Sequence, residues 1–120
     1  MPKTIFVMDD DLALQMVLEI ALREAGYEVI LANNGADGIK MLEHLQPDLV
    51  ISDIMMPQMD GVEVFNQLRE RLQDEGIPVL ILTALNRKPW FDDLEEEGAV
   101  IMQKPFEVDK LMSLIKTIVN

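Results

Sequence analysis

The sequence predicts an α/β fold, a doubly wound parallel sheet with helices on both faces, folded as one domain. Three observations carry this. Five short apolar runs recur along the 120 residues, none of them alternates polar with apolar, and helical periodicity follows each run. Runs that are apolar throughout are expected of strands covered on both faces. Strands alternating with helices join into a parallel sheet through right-handed crossovers.

In order, the first run is Ile5-Phe6-Val7-Met8, ending in Asp9-Asp10-Asp11. Leu14, Val17, Leu18, Ala21 and Ala25 then recur at helical spacing, and Gly26 stops that helix. Val29-Ile30-Leu31-Ala32 is the second strand, followed by Asn33-Asn34-Gly35 and a helix marked by Ile39, Leu42 and Leu45, which stops before Pro47. Leu49-Val50-Ile51 is the third strand and ends in Ser52-Asp53; Phe65, Leu68 and Leu72 mark the helix after it, which ends toward Gly76. Val79-Leu80-Ile81-Leu82 ends in Thr83, and Pro89 can open a helix with Trp90 and Leu94 four apart on one face. Val100-Ile101-Met102-Gln103 ends in Lys104-Pro105, and Val108, Leu111, Met112, Ile115, Ile118 and Val119 form the last helical stripe.

Composition narrows the function. Acids outnumber bases 22 to 10, a formal charge of −12, so the surface repels phosphate backbones and direct nucleic-acid binding is not expected. Such a chain suits divalent cations or a basic partner. With no Cys, disulfides, thiolate metal sites and a Cys nucleophile are excluded. No apolar run reaches the length of a membrane span and no secretory signal is visible, so a cytoplasmic protein without membrane contact is expected.

In open sheets of this class, ligands bind beyond the carboxyl ends of the strands. The residues there are Asp9, Asp10 and Asp11, then Asp53, Thr83 and Lys104. Taken singly, each has an ordinary reading. Asp caps helices, and Asp11 before Leu12 is the expected cap; Asp53 could form a turn; a lysine pairs with acids and a threonine ends strands. Taken together, Asp9, Asp10 and Asp53 on one rim repel one another unless a cation joins them, and Mg2+ suits such hard oxygen ligands. Lys104, Thr83 and Mg2+ would then engage three phosphoryl oxygens, with Asp53 as the nucleophile that forms an acyl phosphate. Ala84 is small enough to leave a phosphoryl group its approach.

The motifs FVMDDD at 6–11, LVISDIMMPQMDG at 49–61, PVLILTA at 78–84 and QKPFE at 103–107 together resemble the receiver domains of two-component response regulators, the CheY-like family. The resemblance runs from Lys3 to Asn120 and leaves no residues for an output domain. It implies a flavodoxin-like five-stranded sheet of order 2-1-3-4-5 flanked by five helices. By the same resemblance Asp53 is the phosphoacceptor, Asp9 and Asp10 hold Mg2+ with Asp53, and Met55 adds its backbone carbonyl. Thr83 corresponds to the switch hydroxyl and Lys104 to the family's lysine, followed by a cis bond to Pro105. Pro57 and Gly61 fall where the family turns from the third strand into the third helix.

The implied function is a phosphoryl-accepting signalling switch rather than an enzyme. The implied partners are a sensor histidine kinase or phosphotransfer protein and a downstream protein target or output domain, with homodimerisation through the fourth helix, fifth strand and fifth helix also in the family's repertoire. Ile101 stands where the family usually has Tyr or Phe, so an aromatic rotamer is not expected to relay the switch. Three alternatives stand beside this reading: a small aspartyl-phosphate phosphatase, a flavodoxin-like binding module, and a receiver fold that signals without phosphorylation. The phosphatase would need a second acid at position 55, which is Met, and the binding module lacks a phosphate-cradling loop after the first strand. His44, the only histidine, is expected on the second helix, far from the rim.

Overall fold

The computed structural model describes residues 2–53 and 61–119. Five strands alternate with five helices: β1 (Thr4–Met8), α1 (Leu12–Glu24), β2 (Glu28–Ala32), α2 (Gly35–Leu42), β3 (Leu49–Asp53), α3 (Gly61–Asp74), β4 (Val79–Thr83), α4 (Pro89–Glu96), β5 (Ala99–Gln103) and α5 (Val108–Val119). All pairings are parallel, in the order β2-β1-β3-β4-β5. The family order implied by the sequence is therefore the observed one.

The sheet separates two apolar layers. Phe6, Met8, Val50, Val79 and Ile81 face Leu42, Phe65, Leu68, Leu72, Phe91 and Leu94 of α2, α3 and α4. Ile5, Val7, Leu49, Ile51, Leu80 and Leu82 face Leu18, Leu22, Leu111 and Ile115 of α1 and α5. Burial on both faces explains why β3 and β4, buried throughout, read as unbroken apolar runs. Each fully buried aliphatic or Phe side chain contributes on the order of 1.5–3 kcal/mol.

Helix ends follow the sequence signals closely. Asp11 is in extended conformation, and its carboxylate accepts the Leu14 N–H at 3.1 Å, the predicted N-cap. Asn34 does the same for α2, accepting from Asp37 N at 2.9 Å. Gly26 follows α1 with φ +95°, a left-handed conformation open to glycine, and so ends the helix. Pro89 does open α4, as its fixed φ favours at a first helical position.

Four local expectations are corrected. On α1 the buried residues are Gln15, Leu18 and Leu22, while Val17 and Ala25 are exposed. The helix carries apolar residues almost all round, so periodicity alone left its inward face ambiguous. α2 ends at Leu42, placing Leu45 beyond the helix and His44 in an exposed turn rather than on it. Arg71 of α3 ends α2 there, donating from its guanidinium to the carbonyls of Leu42 and Leu45. On α4 the core pair is Phe91 and Leu94, three apart, and Trp90 is 39% exposed, its ring edge-on to Phe91 at 4.7 Å.

Candidate functional site

Strand register builds the site. Met8 pairs with Ser52, so Asp9 and Asp53, one residue further out, lie level on neighbouring strands. Asp53 pairs with Leu82 and Thr83 with Gln103, which brings Thr83 and then Lys104 to the same rim. β1 is also where the chain reverses its order across the sheet, since β2 lies on one side of it and β3 on the other. This is the switch point at which open α/β sheets bind ligands.

Each carboxyl oxygen of Asp9, Asp10 and Asp53 that faces the rim lies within 4.8 Å of the others. Asp9 and Asp53 are buried and Asp10 is exposed, so the cluster opens to solvent on the Asp10 side. Lys104 donates from Nζ to Asp53 Oδ2 at 3.0 Å and stands 3.7 Å from Asp9 Oδ2. Asp9 Oδ1 accepts the Asp11 N–H at 2.8 Å. Among the described residues, Asp9 Oδ2 is a buried side-chain oxygen with no hydrogen-bond partner. Burial pushes the Asp9 carboxyl up to about 6; the Asp11 N–H opposes this, Asp53 adds repulsion, and Lys104 offsets part of it.

Thr83 is fully buried at the end of β4. Its hydroxyl accepts the Leu85 N–H at 3.0 Å, and its carbonyl accepts the Lys104 N–H at 2.6 Å. The Lys104–Pro105 bond is cis, as the motif implied. The structure thus gathers Asp9, Asp10, Asp53, Thr83 and Lys104 at one end of the sheet. Met55 and Pro57 lie outside the described residues.

Sequence reasoning missed Gln15. It is buried on α1, and its Nε2 donates to the Asp9 carbonyl, with Ala32 O at 3.4 Å and Asn33 Oδ1 at 3.2 Å. The signal was present: Gln15, Leu18 and Leu22 are spaced three and four apart, a polar residue on the inward stripe.

A donor set of three carboxylates, one with a buried oxygen that makes no hydrogen bond, fits a hard divalent cation, which would lower the mutual repulsion. The sequence profile of the response regulator receiver domain matches residues 5–116. The chain belongs to that family. A receiver domain is a non-enzymatic phosphoacceptor, so the phosphatase alternative is set aside, and the acidic pocket with Lys104 is consistent with phosphoacceptor signalling.

This receiver domain is 37% identical over 123 residues to the alkaline phosphatase synthesis transcriptional regulatory protein PhoP of Bacillus subtilis, covering 100% of this chain and 50% of that protein. The chain spans about half the length of the curated relatives it matches first. Among solved structures, a putative response regulator from Chloroflexus aurantiacus superposes with a TM-score of 0.88 at 32% identity, covering 99% of this chain and 98% of that one. The response regulator protein TrrA of Thermotoga maritima, solved in complex with Mg2+ and BeF, superposes with a TM-score of 0.83 at 33% identity, covering 97% of this chain and 98% of that one. Among the described residues, no helix is long and apolar enough to cross a membrane.

Proposed function

We propose that this receiver domain accepts a phosphoryl group on Asp53 from a histidine-bearing phosphodonor protein and signals through the altered surface. The observation that carries this is the 3.0 Å bond from Lys104 to Asp53 within a cluster of three carboxylates. A structural ion pair would need no further acidic neighbours, whereas here two more carboxylates stand beside the pair. Asp9, Asp10 and Asp53 are the residues that would hold Mg2+, with the Met55 carbonyl as the family's fourth protein ligand. When bound, Mg2+ supplies positive charge to the phosphoryl oxygens and to the carboxylates that hold it.

In the transfer, a carboxylate oxygen of Asp53 attacks phosphorus as the donor's P–N bond breaks. The bonding pair stays on the imidazole, which takes a proton from solvent, and the product is an aspartyl phosphate. Lys104 reaches Asp53 already and follows the new phosphoryl oxygens with little movement. The Thr83 hydroxyl, now turned to Leu85 N, gains a charged acceptor when a phosphoryl group arrives.

The donor surface begins at the same rim. Leu12, Met16 and Ile20 repeat every four residues along α1 and are 63%, 62% and 57% exposed, with Val17 beside them at 46%. This stripe starts one residue past the capping Asp11, so a protein reaching Asp53 covers it, and burying it offsets the cost of association. Signalling to a downstream target or to an attached output domain completes the reading.

Incubation with Mg2+ and a small acyl- or amido-phosphate, followed by intact-mass measurement, tests it. The expected result is one added phosphoryl group, lost in Asp53→Asn. Retention of the full adduct in that variant overturns the assignment.

A further inference from the structure

At the end of the ladder between β1 and β2 the two strands part. Met8 and Ala32 form the last pair, Asp9 N still donates to Ala32 O at 3.2 Å, and Asn34 already caps α2. The Asp9 carbonyl has therefore passed the end of the β2 ladder. Gln15 takes over from α1: its Nε2 donates to that carbonyl and also lies within reach of Ala32 O and Asn33 Oδ1. The side chain is 4% exposed, in a helix face otherwise built from Leu18 and Leu22. A carboxamide is costly to bury unless its hydrogen bonds are made, and here it joins three segments: the start of α1, the end of β1 and the turn after β2.

We propose that Gln15 is a positioning residue for the cation and phosphoryl site, acting through the main chain of Asp9. This rests on the functional reading above. With both the N–H and the carbonyl of Asp9 held, the peptide between Asp9 and Asp10 is fixed, and with it the direction of both side chains. Asp9 needs that support more than its neighbours do. One of its oxygens is tied to Asp11 N, while the other is buried without a hydrogen-bond partner and has only the Lys104 ammonium, 3.7 Å away, to draw it toward Asp53. Partners that orient ligating carboxylates change metal affinity by about 10- to 100-fold when removed. Gln15 thus sets how well the acidic pair is organised before any cation arrives, and touches neither cation nor phosphoryl group.

Calorimetric titration of the parent with Mg2+ alone, beside Gln15→Met and Leu18→Ala, separates positioning from packing. Gln15→Met keeps length and volume and removes the amide; Leu18→Ala opens the same helix face without touching Asp9. Amide dispersion in NMR spectra confirms that each variant is folded at the titration temperature. The expected result is Mg2+ binding weakened at least fivefold in Gln15→Met and unchanged within twofold in Leu18→Ala, although both lose thermal stability. If Gln15→Met does not fold, Gln15→Asn replaces it, since its shorter side chain keeps an amide but falls short of the Asp9 carbonyl. Weakening of less than fivefold in the folded variant, or equal weakening in Leu18→Ala, overturns the positioning role alone. A parent that binds no Mg2+ overturns the cation reading of the site and this role with it.

Discussion

Lys104 Nζ lies 3.0 Å from Asp53 Oδ2 and 3.7 Å from Asp9 Oδ2, so one ammonium is shared unequally between carboxylates on neighbouring strands. It offsets part of the repulsion in the acidic cluster and, for the same reason, disfavours a second cation there. Replacing it with a neutral side chain should therefore separate two effects. Lys104→Met is expected to melt at a lower temperature without metal and to bind Mg2+ two- to fivefold more tightly, while accepting phosphoryl groups more slowly. Calorimetry and thermal unfolding on the same samples check the pair of signs, and weaker Mg2+ binding in the variant contradicts the charge argument.

Asp9 makes metal-free stability depend on pH. Its carboxyl stands near 6 in the fold against 3.8 when unfolded, chiefly because it is buried. The folded state then holds the proton more firmly, so stability from this group is complete below about pH 4 and is lost as pH rises through about 6. The loss is roughly 2–3 kcal/mol. Asp9→Asn should accordingly stabilise the metal-free protein near pH 7, change little near pH 3.5, and abolish stabilisation by Mg2+. Thermal melts across this range decide it: a benefit of equal size at both ends would sink the assignment.

Gly38 of α2 lies against the strand that carries the acidic pair. A Cβ there would come within 2.1 Å of Met8 Sδ and 2.8 Å of its Cγ. Met8 is fully buried but flexible, so Gly38→Ala is expected to cost about 1–3 kcal/mol rather than prevent folding. The clash is specific to one partner. Combining Gly38→Ala with Met8→Ala should therefore cost less than the two single changes added together, which a double-mutant cycle by denaturant unfolding measures.

The apolar stripe on α1 should matter only to a protein donor. Met16→Glu and Ile20→Glu place charge where a partner would bury area, yet both positions are exposed and lie away from the carboxylates. Transfer from a phosphohistidine protein is expected to fall at least tenfold, with the rate from a small acyl phosphate unchanged. Equal losses with both donors would place the effect in the site instead.

The sheet and its rim were legible because each strand carries a continuous apolar run with the polar rim residue at or within two positions of its end, from Met8 into Asp9 to Met102, Gln103 and Lys104. Asp11 was legible as a cap because capping is local. What escaped depended on distant partners. Gln15 reads as a polar interruption of α1 until the Asp9 carbonyl and Asn33 stand beside it. The end of α2 depends on Arg71, 29 residues away from Leu42. On α4 the buried pair is Phe91 and Leu94, packed in the layer with Phe65, Leu68 and Ala99, and spacing within eight residues does not specify that choice over Trp90.

The switch is expected to run through residues 84–98, with the Ile101 side chain as packing only. Ile101 is partly buried against the same layer as Leu85, and a branched aliphatic side chain has no polar tip to exchange between core and solvent. Two hydrogen bonds instead tie the loop before α4 to the site: Leu85 N to the Thr83 hydroxyl at 3.0 Å, and Gln103 Nε2 to Asn86 Oδ1 at 3.0 Å. A phosphoryl group that engages Thr83 competes directly with the first. Beyond the loop, α4 has no side-chain cap at Lys88, and its first turns are held by Arg87 on Asp92 and Glu95, exposed pairs that are worth little. Its far end meets α3 through exposed contacts of the same kind, Gln73 Nε2 on Glu97 O at 2.6 Å and Arg69 near the Glu97 carboxylate at 3.6 Å. Only Phe91 and Leu94 are buried on this short helix, so little apolar area holds it and it can shift at small cost. Amide hydrogen exchange with and without beryllofluoride should show its largest changes within 84–98, outside the site loops. Gln103→Ala should raise exchange at 85–88 before activation, and Ile101→Ala should keep most of the response. A response lost in Ile101→Ala, or absent from 84–98 in the parent, would return the relay to position 101 or to another face.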